Sequence, residues 1–166
     1  MSTMYVNKIQ ELNVGNGITV PSNVHIPGHI IQAQMSDYTG SEFNTSSQSS
    51  VATPISVTIT PKYATSKILI MCEANVRKNT TTAQDGLQMH LYRNGAKIRH
   101  RWQWVFEYNN QTSRNAWSHW SAHYPDTPNS TSALTYTLYV DTYAGGSFII
   151  GDSGSGGQMT ALEVAQ

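Results

Sequence analysis

Alternation of apolar and polar residues is the clearest signal along this chain. Ile55-Ser56-Val57-Thr58-Ile59-Thr60 puts Ile55, Val57 and Ile59 on one face of a strand, and Pro61 ends it. Lys67 to Ala74 is a nearly continuous apolar run of strand length, which predicts a central strand covered on both sides. Leu87-Gln88-Met89-His90-Leu91-Tyr92 alternates again. Arg93-Asn94-Gly95-Ala96 follows, and Asn-Gly between two strands predicts a type I′ hairpin, whose two central residues need positive φ. Ile98 to Glu107 is the returning strand. Ala116 to Tyr124 is an aromatic-rich strand, and Pro125-Asp126-Thr127-Pro128-Asn129 is a turn. Leu134 to Val140 alternates cleanly, Ala144-Gly145-Gly146 turns the chain, and Ser147 to Ile150 is a short strand. Gly151 to Gly157 is a glycine and serine loop, and Met159 to Val164 is a closing strand. About eight strands are expected in residues 54–166, with no amphipathic helix. Short strands at such spacing indicate a sandwich, jelly roll or barrel.

The first third of the chain reads differently. Residues 1–35 hold short apolar pieces (Tyr5-Val6, Ile9, Leu12, Val14, Ile18, Val20, Val24, Ile26) broken by Gly15, Gly17, Pro21, Pro27 and Gly28. A helix would not tolerate that punctuation, so the segment is expected as an extended arm lying along another subunit or a larger assembly. Residues 36–53 are polar, rich in Ser and Thr, and are expected as a connecting loop with at most one strand. The head then spans 54–166.

Composition narrows the function. Charged residues make up 12% of the 166 and the formal net charge is zero, against a typical share of about 25%. A general nucleic-acid binder needs a basic surplus and is excluded on that ground. The charges are uneven: Arg77, Lys78, Arg93, Lys97, Arg99, Arg101 and Arg114 face only Asp85 and Glu107 in residues 77–114. Lysine and arginine there either protect strand edges or form a charged face for a partner. No signal-peptide pattern opens the sequence and no apolar run approaches the ~20 residues of a membrane helix, so a chain made in the cytoplasm without membrane insertion is expected. The Asn-x-Ser/Thr patterns at Asn44, Asn79, Asn110 and Asn129 then read as chance matches.

The ionisable residues offer little candidate chemistry. Cys72 lies inside an apolar run and is expected as a buried core residue. His119 and His123 share a strand face about 13 Å apart, too far for one metal. Three copies of one histidine could meet an ion only on an oligomer axis. There is no Gly-x-Ser-x-Gly elbow, no phosphate-binding glycine loop and no evident carboxylate pair. No catalytic residue, metal or cofactor is expected, so the chain reads as non-enzymatic. The most informative constellation is aromatic: Trp102, Trp104, Trp117 and Trp120 lie within nineteen positions, flanked by Tyr108 and Tyr124. Strand parity puts Trp102 and Trp104 on one side. Either these rings fill the core or a subunit interface, or some form an exposed platform for sugar rings, with Arg99 and Arg101 among the hydrogen-bonding neighbours.

Several segments resemble one group of proteins. The arm "STMYVNKIQELNVGNGITVPSNVHIPGHIIQ" is similar to N-terminal stretches of bacteriophage tail-fibre and virion structural proteins. "VTITPKYATSKILIMCEANV" resembles their strand–Pro–loop–strand unit, with Pro61, Ser66, Lys67 and Ile68 at matching positions. "LQMHLYRNGAKI" resembles their hairpin, and "MTALEVAQ" their closing strand. The Trp-rich segment 102–120 departs from the pattern, which leaves its role open. The resemblance implies an all-β, jelly-roll-like β-sandwich head of the C1q and tumour-necrosis-factor kind, assembled as a homotrimer. It also implies a place in the virion, attached to other virion proteins through the arm; host-surface glycan as a further partner rests on the Trp cluster alone. A trimeric capsid decoration protein and a carbohydrate-binding module are the alternatives.

Overall fold

The computed structural model describes residues 27–80, 84–108, 114–151 and 156–166; of residues 79, 80, 84, 101, 103–108 and 114–117 it describes the backbone alone. These residues form ten strands: β1 (Ile30–Tyr38), β2 (Phe43–Thr45), β3 (Val51–Ile59), β4 (Lys67–Thr80), β5 (Gln84–Arg93), β6 (Ala96–Tyr108), β7 (Arg114–Asp126), β8 (Leu134–Thr142), β9 (Phe148–Ile150) and β10 (Gly157–Val164). No helix occurs among the described residues.

The pairing follows one rule. β5 pairs with β6, β4 with β7, β3 with β8, β2 with β9 and β1 with β10, all antiparallel. The chain is thus one long hairpin whose two arms mirror each other about the Asn94-Gly95 turn. Asn94 has φ 49° and Gly95 φ 79°, the positive values that the dipeptide predicts. The Asn94 side chain fastens this tip to β8, accepting from the Thr135 N–H at 2.8 Å, while the Asn94 N–H donates to the Thr135 carbonyl at 2.8 Å.

Three further antiparallel ladders, β10·β4, β9·β4 and β8·β5, roll the hairpin into two sheets. The first sheet contains β1 and β4, and the second runs β3-β8-β5-β6. In the first sheet, β7 takes the whole of one side of β4, so β10 and β9 share its opposite side, with β1 and β2 outside them. A long hairpin rolled into two packed sheets is a jelly roll. The all-β, jelly-roll-like sandwich is the architecture of this chain.

Alternation decides which side chains enter the space between the sheets. Ile55, Val57 and Ile59 from β3, Leu134, Tyr136, Leu138 and Val140 from β8, and Ile68, Ile70, Cys72 and Ala74 from β4 are all buried. At about 25 cal/mol per Å² of apolar surface, such a layer is the main driving force for the fold.

Three expectations need correction. Residues 30–53 are not the end of an arm followed by a loop: β1, β2 and the start of β3 lie there, inside the sandwich. β4 is central in its sheet but buried on one face only, since Met71 and Glu73 point outward. Pro125 and Asp126 continue β7 rather than starting a turn. Within the described strands β7 pairs only with β4, and an edge strand can hold a proline whose missing N–H faces away from the ladder. The remaining arm residues, 1–26, and part of the expected glycine-serine loop, 152–155, lie outside the described residues.

Candidate binding surfaces

The Trp cluster divides. Trp102 on β6 and Trp120 on β7 are 8% and 2% exposed, and their rings meet edge-on with centroids 5.3 Å apart at 84°. The Trp102 indole N–H donates to the His123 carbonyl at 3.0 Å. This pair closes the sandwich where the edge strands of the two sheets face each other, so neither ring can stack on a sugar. Tyr124 is half-buried against the same core, and Arg99 is exposed on β6. Trp104 and Trp117 lie on β6 and β7, and Tyr108 and Arg101 on β6; their side chains fall outside the described residues.

β6 is irregular just before Trp102. Met89 pairs with Gln103 and Leu91 with Arg99, so residues 100–102 stand opposite His90 alone. Such a bulge breaks the two-residue period, and no sequence signal marked it.

Buried carboxylates hold the loops. Asp85, fully buried, accepts from the Ala144 N–H at 2.8 Å and from the Gly146 N–H, fixing the β8–β9 turn against β5. Asp126 accepts from Arg93 and from the Tyr136 hydroxyl, both at 2.7 Å, and so ties β7 of one sheet to β5 and β8 of the other. Burial raises the Tyr136 pKa, and the Asp126 carboxylate, held by its hydroxyl, adds to this. Glu163, fully buried, accepts from the Lys62 N–H at 2.9 Å, the Tyr63 N–H at 3.1 Å and the Gln32 amide at 2.6 Å, clamping the β3–β4 loop. Burial works to raise the Glu163 pKa; the Lys62 N–H and Gln32 bonds lead the hydrogen bonding that outweighs it and holds the carboxyl below its ordinary value. Glu163 shares the parity of Met159 and Ala161 on its strand, a signal open to the sequence, whereas Asp126 was expected in a turn.

The outer face of the second sheet carries a polar cluster that the sequence did not reveal. His90 is fully buried there beneath its neighbours; its Nε2 contacts Asp141 at 2.8 Å and its ring lies 5.0 Å from that of His100. Ser50 donates to the same Asp141 oxygen at 2.8 Å, and Lys97 donates to Ser50 at 3.2 Å. Tyr92 stacks on Tyr139 at 3.8 Å, with the Lys97 ammonium 5.5 Å from the Tyr92 ring. Here the carboxylate sits between hydroxyl and imidazole. A Ser-His-Asp relay needs the imidazole next to the hydroxyl, so this is not one.

The outer face of the first sheet holds two shallow depressions, of about 190 and 240 Å³. Glu73 and Gln158 border both, with His123 and Met71 on the first and Asp37, Asn75 and His119 on the second. His119 lies 3.8 Å from Glu73 and 3.1 Å from Asn75, and Gln158 donates to Asp37 at 2.6 Å. Cys72 borders the first depression, but burial, aided by Glu73, pushes its thiol pKa far up, which removes it as a nucleophile at neutral pH. Among the described residues no group of three or more His, Cys, Asp or Glu could hold a metal ion.

No family model matches this chain, and no curated protein matches it. Among solved structures it is similar to dimeric latent PorU from Porphyromonas gingivalis, at 12% identity and a TM-score of 0.42 over 88% of this chain and 14% of that one. It is also similar to a chain of the T13 IBDV viral particle, at 10% identity and a TM-score of 0.41 over 95% of this chain and 40% of that one. The chain thus spans less than half of either protein, and likeness at this level carries no argument about role.

Proposed function

We propose that this chain is a structural component of a bacteriophage particle, the trimeric jelly-roll head of a tail fibre or fibre-like protein. The observation that carries the reading is how the ionisable groups inside the sandwich are used. Asp85 and Glu163 hold loops and Asp126 joins the sheets, while the Cys72 thiol is inert. Groups spent on rigidity suit a head that must keep its shape in an assembly rather than turn over a substrate. The resemblance of the arm, the strand–Pro–loop–strand unit and the hairpin to virion proteins supplies the particle and the trimer. The arm attaches to other virion proteins and the head faces outward, where host-surface glycan is its partner. With Trp102 and Trp120 in the core, glycan contact falls to the outer faces, with Tyr92, Tyr139 and Lys97 as the aromatic and cationic groups of the second sheet.

Light scattering coupled to size-exclusion chromatography tests the trimer. Three chains of 18.3 kDa give a particle of about 55 kDa; a particle of 18.3 kDa overturns the proposal.

A further inference from the structure

The basic stretch of the sequence contains two kinds of cation. Arg77 is matched by Glu42 at 2.8 Å and Arg93 by Asp126 at 2.7 Å. Lys97 and Arg99, on the edge strand β6, are exposed and meet no carboxylate among the described residues. A lysine that guards a sheet edge keeps its charge at that edge. Lys97 instead turns back over the sheet. Its ammonium donates to Ser50 at 3.2 Å and stands 5.5 Å from the centre of the Tyr92 ring.

The surroundings of that ammonium have the chemistry of a saccharide site. Cross-strand register sets Ser56, Thr137, Tyr92 and Lys97 in one row across the outer face of the second sheet. Tyr139 stacks on Tyr92, and both rings are half-buried. In the next row the hydroxyls of Thr58 and Thr135 lie 2.9 Å apart. Hydroxyls and tyrosine rings supply the hydrogen bonds and the apolar surface that a sugar ring needs. The one acid of this face among the described residues, Asp141, has a side chain only 13% exposed, and its Oδ2 is already shared by His90 and Ser50. The cation is thus held over the face with its charge unmatched.

We propose that this face takes an acidic saccharide, whose anionic group meets the Lys97 ammonium while its ring lies against Tyr92 and Tyr139. The inference rests on the glycan role proposed above and narrows it to charged sugars. A neutral sugar leaves the ammonium without a partner. The first sheet offers an anion no rival site, because its two depressions are bordered by Asp37 and Glu73 and by no Lys or Arg.

An array of bacterial surface polysaccharides, some neutral and some bearing uronate or phosphate, tests this when probed with the full chain. Binding should be confined to the acidic members and should weaken as salt rises. Lys97→Gln should weaken it about tenfold, the loss expected for one hydrogen bond to a charged group. Lys97→Arg, which restores the charge, should retain it. Binding of neutral members as well as acidic ones overturns the inference and leaves the glycan role standing. Binding to no member overturns both. Acidic binding that Lys97→Gln leaves intact overturns the placement at this face.

Discussion

Replacing Glu163 by glutamine keeps the shape of the side chain and removes its charge. In the parent, one carboxylate oxygen accepts from the Lys62 and Tyr63 N–H groups at 2.9 and 3.1 Å. The other accepts from the Lys62 N–H at 3.0 Å and the Gln32 amide at 2.6 Å. A glutamine can keep its oxygen toward the two backbone groups, but its NH₂ then faces two donors. Gln32 cannot simply turn its amide over, because its nitrogen also donates to the Thr60 carbonyl at 2.7 Å. One charge-assisted hydrogen bond is lost and a buried donor is left unpaired, which costs about 2–3 kcal/mol. For a chain of this length that is a fall in Tm of about 5–10 °C. The pH dependence gives a second, independent reading. The folded pKa of Glu163 lies below the ordinary value of about 4.5. The parent therefore holds the full benefit of the charge above that value and loses it as the pH falls through the folded pKa. Urea denaturation of Glu163→Gln and parent should show a constant gap above pH ~5 that narrows on further acidification. Equal stability at neutral pH, or a gap that widens in acid, would refute the reasoning.

Other parts of the fold make separate predictions. Asp126→Asn should cost about 3 kcal/mol by leaving Arg93 without its charge partner. Tyr136→Phe should cost about 1 kcal/mol. Because both donors use one Asp126 oxygen, the double variant should cost less than the sum in urea titrations, and additivity would argue against a shared site. Gly95→Ala places a Cβ in open space but at φ 79°, which should cost about 1 kcal/mol. As the turn is the innermost element of the nested hairpin, stopped-flow should find most of that loss as slower folding; a change confined to unfolding would count against the turn forming early. Burial lowers the His90 pKa from 6.5, outweighing the opposing effect of Asp141. A histidine kept neutral in the folded state disfavours folding as acid protonates the unfolded chain, so the parent should lose stability from about pH 7 to 5 more steeply than His90→Gln. Parallel slopes would contradict that role.

The strands and the central turn were legible because short-range rules govern them. Ile55, Val57 and Ile59, and Leu134 through Val140, are buried in the alternation their sequence predicts. Asn94-Gly95 marks the tip about which every pair of strands is mirrored. Residues 30–53 were not legible as strands because they hold few strongly apolar residues and are held by partners over a hundred positions away, β10 and β9. The placement of Trp102 depended on a bulge opposite His90, which has no compositional signature. The His90–Asp141–Ser50 cluster joins three strands or loops distant in sequence, and each of those residues is ordinary in its own segment. Glu163 was half legible: alternation along its strand puts it on the side of Met159 and Ala161, but its donors, two backbone N–H groups and Gln32, come from the tertiary fold; Asp126, expected in a turn, was not legible.

The central claim is that this chain is built into a phage particle. Immunogold electron microscopy with an antibody against the folded chain, applied to particles purified from a lysate that expresses it, addresses that claim directly. The account predicts gold at the outer ends of tail fibres on intact particles. Label absent from intact particles, with the chain recovered only as free protein, would contradict it.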